Sequence, residues 1–298
     1  MNKLIRGLKD PLLIPLFFWR KCSSWIKSDE LYIRVHYFLC MKKRLHLNPP
    51  VTFNEKLQWL KLHDWRKEYT RMVDKAEAKK YVAEIIGEEY IIPTLGVWDC
   101  FDEIDFNTLP HQFVLKCTHD SGGLVICKDK SKLDVQKARK VLEKSLKKNY
   151  YYETREYPYR DVKPRIIAEK YMVDESGTEL KDYKFFCFKG EPKMLFIATD
   201  RPYDTRFDFY DTNFNHLPFK QGHPLAAKPI SKPKGFEQML ELAAKLSKGI
   251  PHVRVDFYDI SGQVYFGELT FTHYSGTVPF EPSQWDYKIG EWLELPEI

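Results

Sequence analysis

Between residues 29 and 90, apolar positions such as Leu57, Leu60 and Trp65 recur at helical spacing, and the pattern predicts a run of helices. Within it, "TFNEKLQWLKL" places Thr52 three residues before Glu55, the spacing at which two side chains satisfy orphan amides at a helix start. "DKAEAKKYVAEIIG" reads as another helix, stopped at Gly87, where a positive φ carries no Cβ penalty. From about residue 91 the texture changes to short strands: "YIIPTLGVWD", "QFVLKC" and "LVIC", then a helix over 134 to 149, then "RIIAEKYM". Past 180 strands dominate, in "DYKFFCFKGEPKMLFIAT", "RFDFYD" and "HVRVDFYDISGQVYFGELTF". One amphipathic helix near 234 to 248 interrupts them, with Phe236, Met239, Leu240, Ala243 and Leu246 facing inward. The predicted class is α+β: a helical region over 1–90, then two α+β lobes over 91–170 and 171–298.

Composition sharpens this picture in three places. With 298 residues, 43% apolar and 15% aromatic, the chain can bury a full core, which excludes a disordered tail. The six cysteines are scattered without a C-x-x-C pair, and no cleavable signal peptide is read, so reduced thiols in a cytoplasm are expected rather than zinc or a disulfide framework. Charge is uneven: residues 1 to 80 hold 18 Lys/Arg against 8 Asp/Glu, within an overall balance of +5. That basic end suits a polyanionic substrate or an anionic leaflet; with no arginine-rich tract or nucleic-acid module, nucleic acid is not an expected partner. "PLLIPLFFW" (11 to 19) is far short of the roughly 20 residues that span a bilayer. Flanked by Arg6, Lys9, Arg20 and Lys21, it either lies in a membrane surface or packs on the protein's own core.

Three stretches carry candidate chemistry. In "FVLKCTHDSGGLVIC", Lys116 ends an apolar strand ahead of Ser121, Gly122 and Gly123, and a hairpin tip of that kind can close its amides over an anion while the lysine supplies charge. In "RIIAEKYMVDESG", a strand runs into Glu169 and then Tyr171 and Met172, which suits a hinge offering backbone groups to an adenine edge. In "RVDFYDISGQVYFGELTF", alternation puts Arg254 and Asp256 on one strand face, and Val264, Phe266, Glu268 and Thr270 on one face of the next. An odd-length loop around Gly262 brings Asp256 and Glu268 to the same side, whereas a two-residue Ser261-Gly262 loop separates them. Facing carboxylates repel unless a cation lies between them; Mg²⁺ carrying nucleotide phosphates is the natural one, with Arg254 reaching the transferred phosphoryl group or an acyl phosphate.

In this order, the three pieces resemble the ATP-grasp superfamily, and "VDKAEAKKYVAEIIGEEYIIPTLGV" looks like its lead-in. "SDELYIRVHYFLCMKKRLHLNPPVTFNEKLQWLKLHD", "DYKFFCFKGEPKMLFIATDR" and "ELTFTHYSGTVPFEPSQWDYKIGEWL" resemble its TupA-like branch, which is linked to bacterial teichuronopeptide, capsule and exopolysaccharide synthesis. The resemblance implies an ATP-grasp fold whose two lobes, 91–170 and 171–298, clamp ATP. It makes Lys116, Ser121, Gly122, Gly123, Glu169, Tyr171 and Met172 the nucleotide contacts, and Asp256, Glu268 and Thr270 the Mg²⁺ positions. Arg254 and Lys184 become catalytic, with Lys184 sharing a strand face with Asp182. One departure stands out: the family commonly has asparagine where this chain has Thr270, a poorer magnesium ligand. The implied reaction is ATP-dependent carboxylate–amine ligation through an acyl phosphate, with a uronic-acid glycan and an amine or amino acid as substrates. His119, Asp120 and His273 lie near enough in sequence to contact substrate or to serve the structure. Two other classes compete. A nucleotide-sugar glycosyltransferase lacks a D-x-D motif here, since "RFDFYD" sets Asp208 and Asp211 one residue too far apart; a non-catalytic membrane-associated assembly factor would account for the basic aromatic N-terminus and Thr270.

Overall fold

The computed structural model describes residues 11–177, 180–201, 204–226 and 228–297. Arg6 and Lys9, expected to flank the apolar N-terminal run, lie outside the described residues. Five helices open the described chain: α1 (Leu13–Lys21), α2 (Asp29–Met41), α3 (Phe53–His63), α4 (Glu68–Val73) and α5 (Glu77–Ile86). Helix α3 begins with the reciprocal cap read from the sequence: the Glu55 amide donates to Thr52 Oγ1 at 3.2 Å, and the Thr52 amide to Glu55 Oε2 at 3.1 Å. Helix α5 stops at Gly87, whose φ is +113°.

Four strands, β1 (Thr94–Trp98), β2 (Phe113–Cys117), β3 (Leu124–Cys127) and β4 (Ile166–Lys170), form an antiparallel sheet in the order β1-β4-β2-β3. Helices α6 (Val135–Leu146) and α7 (Tyr150–Thr154) lie between β3 and β4 in the chain. The strand period of two divides this sheet cleanly. Phe113, Leu115, Ile166 and Ala168 are buried in a cluster with Ala138 and Leu142 of α6, which leaves Lys116 and Glu169 on the opposite face.

A larger sheet follows in the order β10-β9-β5-β6-β7, from β5 (Asp182–Phe188), β6 (Glu191–Thr199), β7 (Arg206–Asp211), β9 (Val253–Ile260) and β10 (Gln263–Thr270). Two short strands, β8 (Lys220–Gln221) and β11 (Phe280–Glu281), pair apart from it, and helices α8 (Phe236–Leu246) and α9 (Gln284–Trp292) complete the fold. One face is apolar: Phe185, Leu195, Ile197, Val253, Val255 and Phe257 pack under α8 and against Tyr69, Met72, Ala78 and Val82 of α4 and α5. The other face is divided. Phe186, Phe188, Met194 and Phe196 meet Phe53 and Leu57 of α3 and Ile289 of α9, while Lys184, Arg254 and Asp256 form a charged half. Helices α3 to α5 therefore bury their apolar sides on the large sheet, and the α3–α9 contact is fixed by Lys56 Nζ donating to the Gly290 and Leu293 carbonyls at 2.9 and 2.8 Å.

Helix α1 is the exception. Trp19 stacks on Tyr32 with ring centroids 5.6 Å apart, but Phe17, Phe18 and the following Trp25 are 54%, 59% and 80% exposed, and no residue of the helix is buried. Of the two sequence readings, packing on the protein's own core holds for Trp19 but not for Phe17, Phe18 or Trp25. None of the described helices is long and apolar enough to cross a membrane.

Candidate active site

The charged face of the small sheet carries a carboxylate gripped from two sides. Lys116 Nζ reaches Glu169 Oε2 and Lys79 Nζ reaches Glu169 Oε1, each at 2.6 Å. Burial alone would raise the Glu169 carboxyl, yet the two ammonium groups hold it down at about 2. Lys79 stands on α5, one turn beyond Lys75, whose ammonium donates to the Asp120 carbonyl. Burial lowers the Lys75 pKa, and Glu268 is the leading influence in the other direction. Burial likewise lowers Lys116, but Glu169 first, then Glu268 and Asp182, carry it above its ordinary value. Lys116 of the small sheet and Lys75, just ahead of α5, thus face the carboxylates of the large sheet across one cleft.

The Ser121-Gly122-Gly123 segment differs from the expected anion-closing tip. The Gly123 amide is already taken, donating to Asp120 Oδ1 at 3.2 Å, and a Cβ there would sit 2.5 Å from Cys117 Sγ, so this glycine serves close packing. Ser121 and Gly122 are exposed, a Cβ on Gly122 would meet only Asp120 Oδ2 at 3.5 Å, and Ser121 lines the cleft. Asp120 also accepts from the Ser145 hydroxyl, and His119 Nε2 lies 3.1 Å from the Ser145 carbonyl, so both residues brace the loop. Tyr171 and Met172, half-buried, directly follow β4 on the link toward β5; the Tyr171 ring faces Lys128 Nζ at 5.9 Å.

Across the cleft, the hairpin of β9 and β10 contradicts one part of the sequence reasoning. Its loop is the two-residue Ser261-Gly262, both residues at positive φ, which on regular pairing would put Asp256 and Glu268 on opposite faces. A bulge at Gly267 adds one residue and brings Glu268 opposite Asp256. The shared face expected for Val264, Phe266, Glu268 and Thr270 is therefore broken: Val264 and Phe266 enter the core, while Glu268 and Thr270 turn to the cleft. Glycine suits the bulge, because a Cβ there would crowd the Asp256 carbonyl at 3.1 Å.

The cation between the two carboxylates is Arg254, which departs from its expected role reaching out to a phosphoryl group. Its Nε and Nη2 donate to Asp256 Oδ1 and Oδ2 at 2.7 and 2.8 Å, and Nη2 also reaches Glu268 Oε1 at 2.7 Å and Thr270 Oγ1 at 3.0 Å. Nη1 donates to His273 Nδ1 at 2.9 Å, and His273 Nε2 donates to Gln221 Oε1 at 2.9 Å; burial and then Arg254 keep this histidine neutral. His273 orients Arg254 and is itself buried. Lys184 pairs with Asp256 and, at 3.5 Å, with Asp182, which also takes Arg201. Glu268 differs from Asp256. Its side chain is 45% exposed and its bonded contacts fall on Oε1, from Arg254 and from Thr270 at 3.1 Å. Burial raises Glu268, but Lys184, Arg254 and Lys75 bring it down to about 2, so Oε2 belongs to a carboxylate that stays ionised.

These donors allow a fit test for Mg²⁺. Among the described residues, no three His, Cys, Asp or Glu side chains converge on a metal position. The arrangement fits a cation that arrives with phosphates and takes one or two protein carboxylates, Glu268 first, and it does not fit an all-protein cage.

A cavity of about 540 Å³ opens beside the hairpin, lined by Arg254, Glu268, Thr270, Lys75 and Ser121, and by residues sequence reasoning missed: Arg20, Tyr150, Glu156 and Tyr159. Lys75 and Lys79 left one legible trace, their four-residue spacing in "DKAEAKK". The others sit in stretches whose pattern carries no such mark.

The family model of the TupA-like ATP-grasp enzymes matches residues 55–294, four-fifths of the chain. The chain belongs to the TupA-like ATP-grasp family. It is an enzyme of the ATP-dependent ligase type, with the ATP-grasp fold. Solved structures similar to it include D-alanine–D-alanine ligase from Helicobacter pylori, at 18% identity and a TM-score of 0.39, covering 81% of this chain and 69% of that one. The ATP-grasp ligase PsnB, complexed with minimal precursor, Mg and ADP, matches at 10% identity and a TM-score of 0.40, covering 74% and 57%. N5-carboxyaminoimidazole synthase from Aspergillus clavatus, with ADP, matches at 12% and 0.41, covering 78% and 54%. This chain spans little more than half the length of the last two. No curated protein matches it in sequence.

Proposed function

We propose that this TupA-like enzyme joins a carboxylate to an amine at the expense of ATP, the carboxylate belonging to a uronic-acid-containing cell-surface polysaccharide. The observation that carries the reading is the division of charge across the cleft: Lys79 and Lys116 grip one glutamate on one side, with Lys75 adding a third cation nearby, and Glu268 holds out an ionised oxygen on the other. Surplus cations suit polyphosphate oxygens, and the open carboxylate suits the magnesium that accompanies them. When bound, Mg²⁺ supplies charge that neutralises the phosphoryl oxygens. Lys116 and Lys79 bind the nucleotide phosphates, and the Tyr171-Met172 link holds the base. Arg254 and Lys184 keep Asp256 and Glu268 in place, so the cleft needs little rearrangement as charge develops. No enzyme nucleophile is required, since ATP itself activates the carboxylate as an acyl phosphate.

Arg20 and Lys75 line the cavity next to the hairpin and give an acidic sugar its counter-charges, in line with the basic balance of residues 1–80. The test is incubation with ATP, Mg²⁺ and a matrix of uronic acids and amino acids, following nucleotide products and product mass. ADP release tied to both substrates, with a product lighter by one water than their sum, is expected. UDP release from a nucleotide sugar without ATP turnover would point to a transferase, and no turnover of either nucleotide to an assembly factor.

The exposed Ile14, Phe17, Phe18 and Trp25, beside Arg20, Lys21 and Lys27, support a second element: peripheral contact with an anionic membrane, placing the enzyme at the inner face of the plasma membrane. Cosedimentation with anionic vesicles that falls with salt and is lost in F17S/F18S is the expected result. Equal recovery with neutral vesicles would remove the membrane from the reading.

A further inference from the structure

We propose that Glu156 receives the acceptor amine in the cavity beside the hairpin and takes the proton that the amine must lose; the assignment rests on the ligase reading above. Glu156 is 3% exposed, yet it borders the same cavity as Arg254, Glu268 and Thr270. It forms no ion pair within 4.0 Å among the described residues. Lys61 on α3, the cation that pulls on it most, donates instead to the Ser275 carbonyl at 2.8 Å and the Ser275 hydroxyl at 2.7 Å. The Ser275 and Thr272 hydroxyls lie beside the carboxylate, Thr154 Oγ1 accepts from the Glu156 amide at 3.4 Å, and Tyr150 and Tyr159 stand in the same wall. A buried carboxylate in a wall of neutral donors, without a contacting counter-ion, is complementary to an ammonium group. Arg20 and Lys75 in the same cavity suit the opposite partner, the anionic acyl phosphate.

The chemistry demands such a group. An amine is an ammonium ion near neutral pH and has no lone pair to attack with. Glu156 accepts one proton from R–NH₃⁺. The freed nitrogen lone pair forms the C–N bond to the acyl carbon, and the C–O bond to phosphate breaks with its electrons leaving on phosphate. A second nitrogen proton departs with that phosphate, and the third remains on the amide. Burial lifts the Glu156 carboxyl above its ordinary value, against Lys61 and the neighbouring hydroxyls, which makes it a better proton acceptor than an ordinary carboxylate.

Hydroxylamine separates this role from all others, because it is largely unprotonated at neutral pH and attacks acyl phosphates without a base. Wild type, E156Q and the double variant E156Q/K61M are assayed with ATP, Mg²⁺ and uronic acids, using either an amino acid or hydroxylamine as acceptor. The double variant removes both buried charges, which influence each other without touching, so its fold does not depend on an uncompensated lysine. The expected result is amide formation lowered about 10²-fold or more in both variants, with hydroxamate formation retained. Amide formation restored in the double variant would show a structural role for Glu156 and overturn the proposal. So would parallel loss of amide and hydroxamate in a folded double variant. Wild type that makes no hydroxamate from any carboxylate would overturn the ligase reading itself, a different outcome from either.

Discussion

The two walls of the cleft use the same contact, a carboxylate held by cations, to opposite ends. On the small sheet, Glu169 spends both oxygens on Lys116 and Lys79, and Lys75 stands nearby, so the wall is left with unmatched positive charge. On the large sheet, Arg254 and Lys184 are absorbed by Asp256, and the remainder is one oxygen of Glu268. Two buried ion-pair clusters of similar make-up therefore present an anion site and a cation site. What distinguishes them is the excess of lysines in one and, in the other, a half-exposed Glu268 whose contacts fall on one oxygen. Asp256 and Glu169 are the anchors of their clusters; in the proposed site Lys116 and Glu268 are the groups that meet the ligand.

That division sets the order of expected effects. Asp256→Asn should be the most damaging, because Arg254 and Lys184 lose the charge they share inside a buried site. Urea unfolding should show a loss of about 3–5 kcal/mol; an unchanged midpoint would mean that Asp256 is no anchor. Glu169→Gln should cost somewhat less, about 1.5–3 kcal/mol for its charged hydrogen bonds, and its signature lies in pH. Glu169 titrates at about 2 in the folded protein against 4.5 for an ordinary glutamate. Its stabilisation is therefore complete above pH 4.5 and is lost as pH falls toward 2. Acid titrations of wild type and the variant should converge across that window, and parallel curves would refute the assignment. Lys116→Ala leaves Glu169 paired with Lys79, so the fold should survive while ATP binds about tenfold more weakly, near 1.4 kcal/mol. Unchanged affinity would take Lys116 out of the nucleotide site. The smallest stability effect belongs to Glu268→Gln, about 1 kcal/mol by thermal unfolding, since this half-exposed side chain gives up one charged hydrogen bond while Arg254 keeps Asp256.

Much of this was legible along the chain. The helices and most strands follow from periodicity, and Lys116, Glu169, Asp256 and Glu268 stand out through the resemblance to the ATP-grasp superfamily. The hairpin register did not, because a two-residue turn and a bulge cancel, and only Gly267 in mid-strand hinted at the second. The link from Arg254 to Glu268 is hidden for a related reason: alternation places Arg254 beside Asp256 but says nothing of Glu268, which reaches it only once the bulge has formed. Gly122 and Gly123 look equivalent in sequence, yet one is open and the other is wedged against Cys117. Glu156 sits in "YYETREYPYR", whose polar, aromatic composition reads as surface; its burial arises from α3 and the residues after β10, far away in the chain.

The central claim is that the open Glu268 oxygen and the small-sheet lysines form one Mg-ATP site, and calorimetric titration of ATP with and without Mg²⁺ into wild type and Glu268→Gln tests it most directly. Wild type should bind ATP more tightly with Mg²⁺, and the variant should bind it equally weakly in both conditions while remaining folded. A Glu268→Gln protein that keeps the full Mg²⁺-dependent gain in affinity would contradict the account.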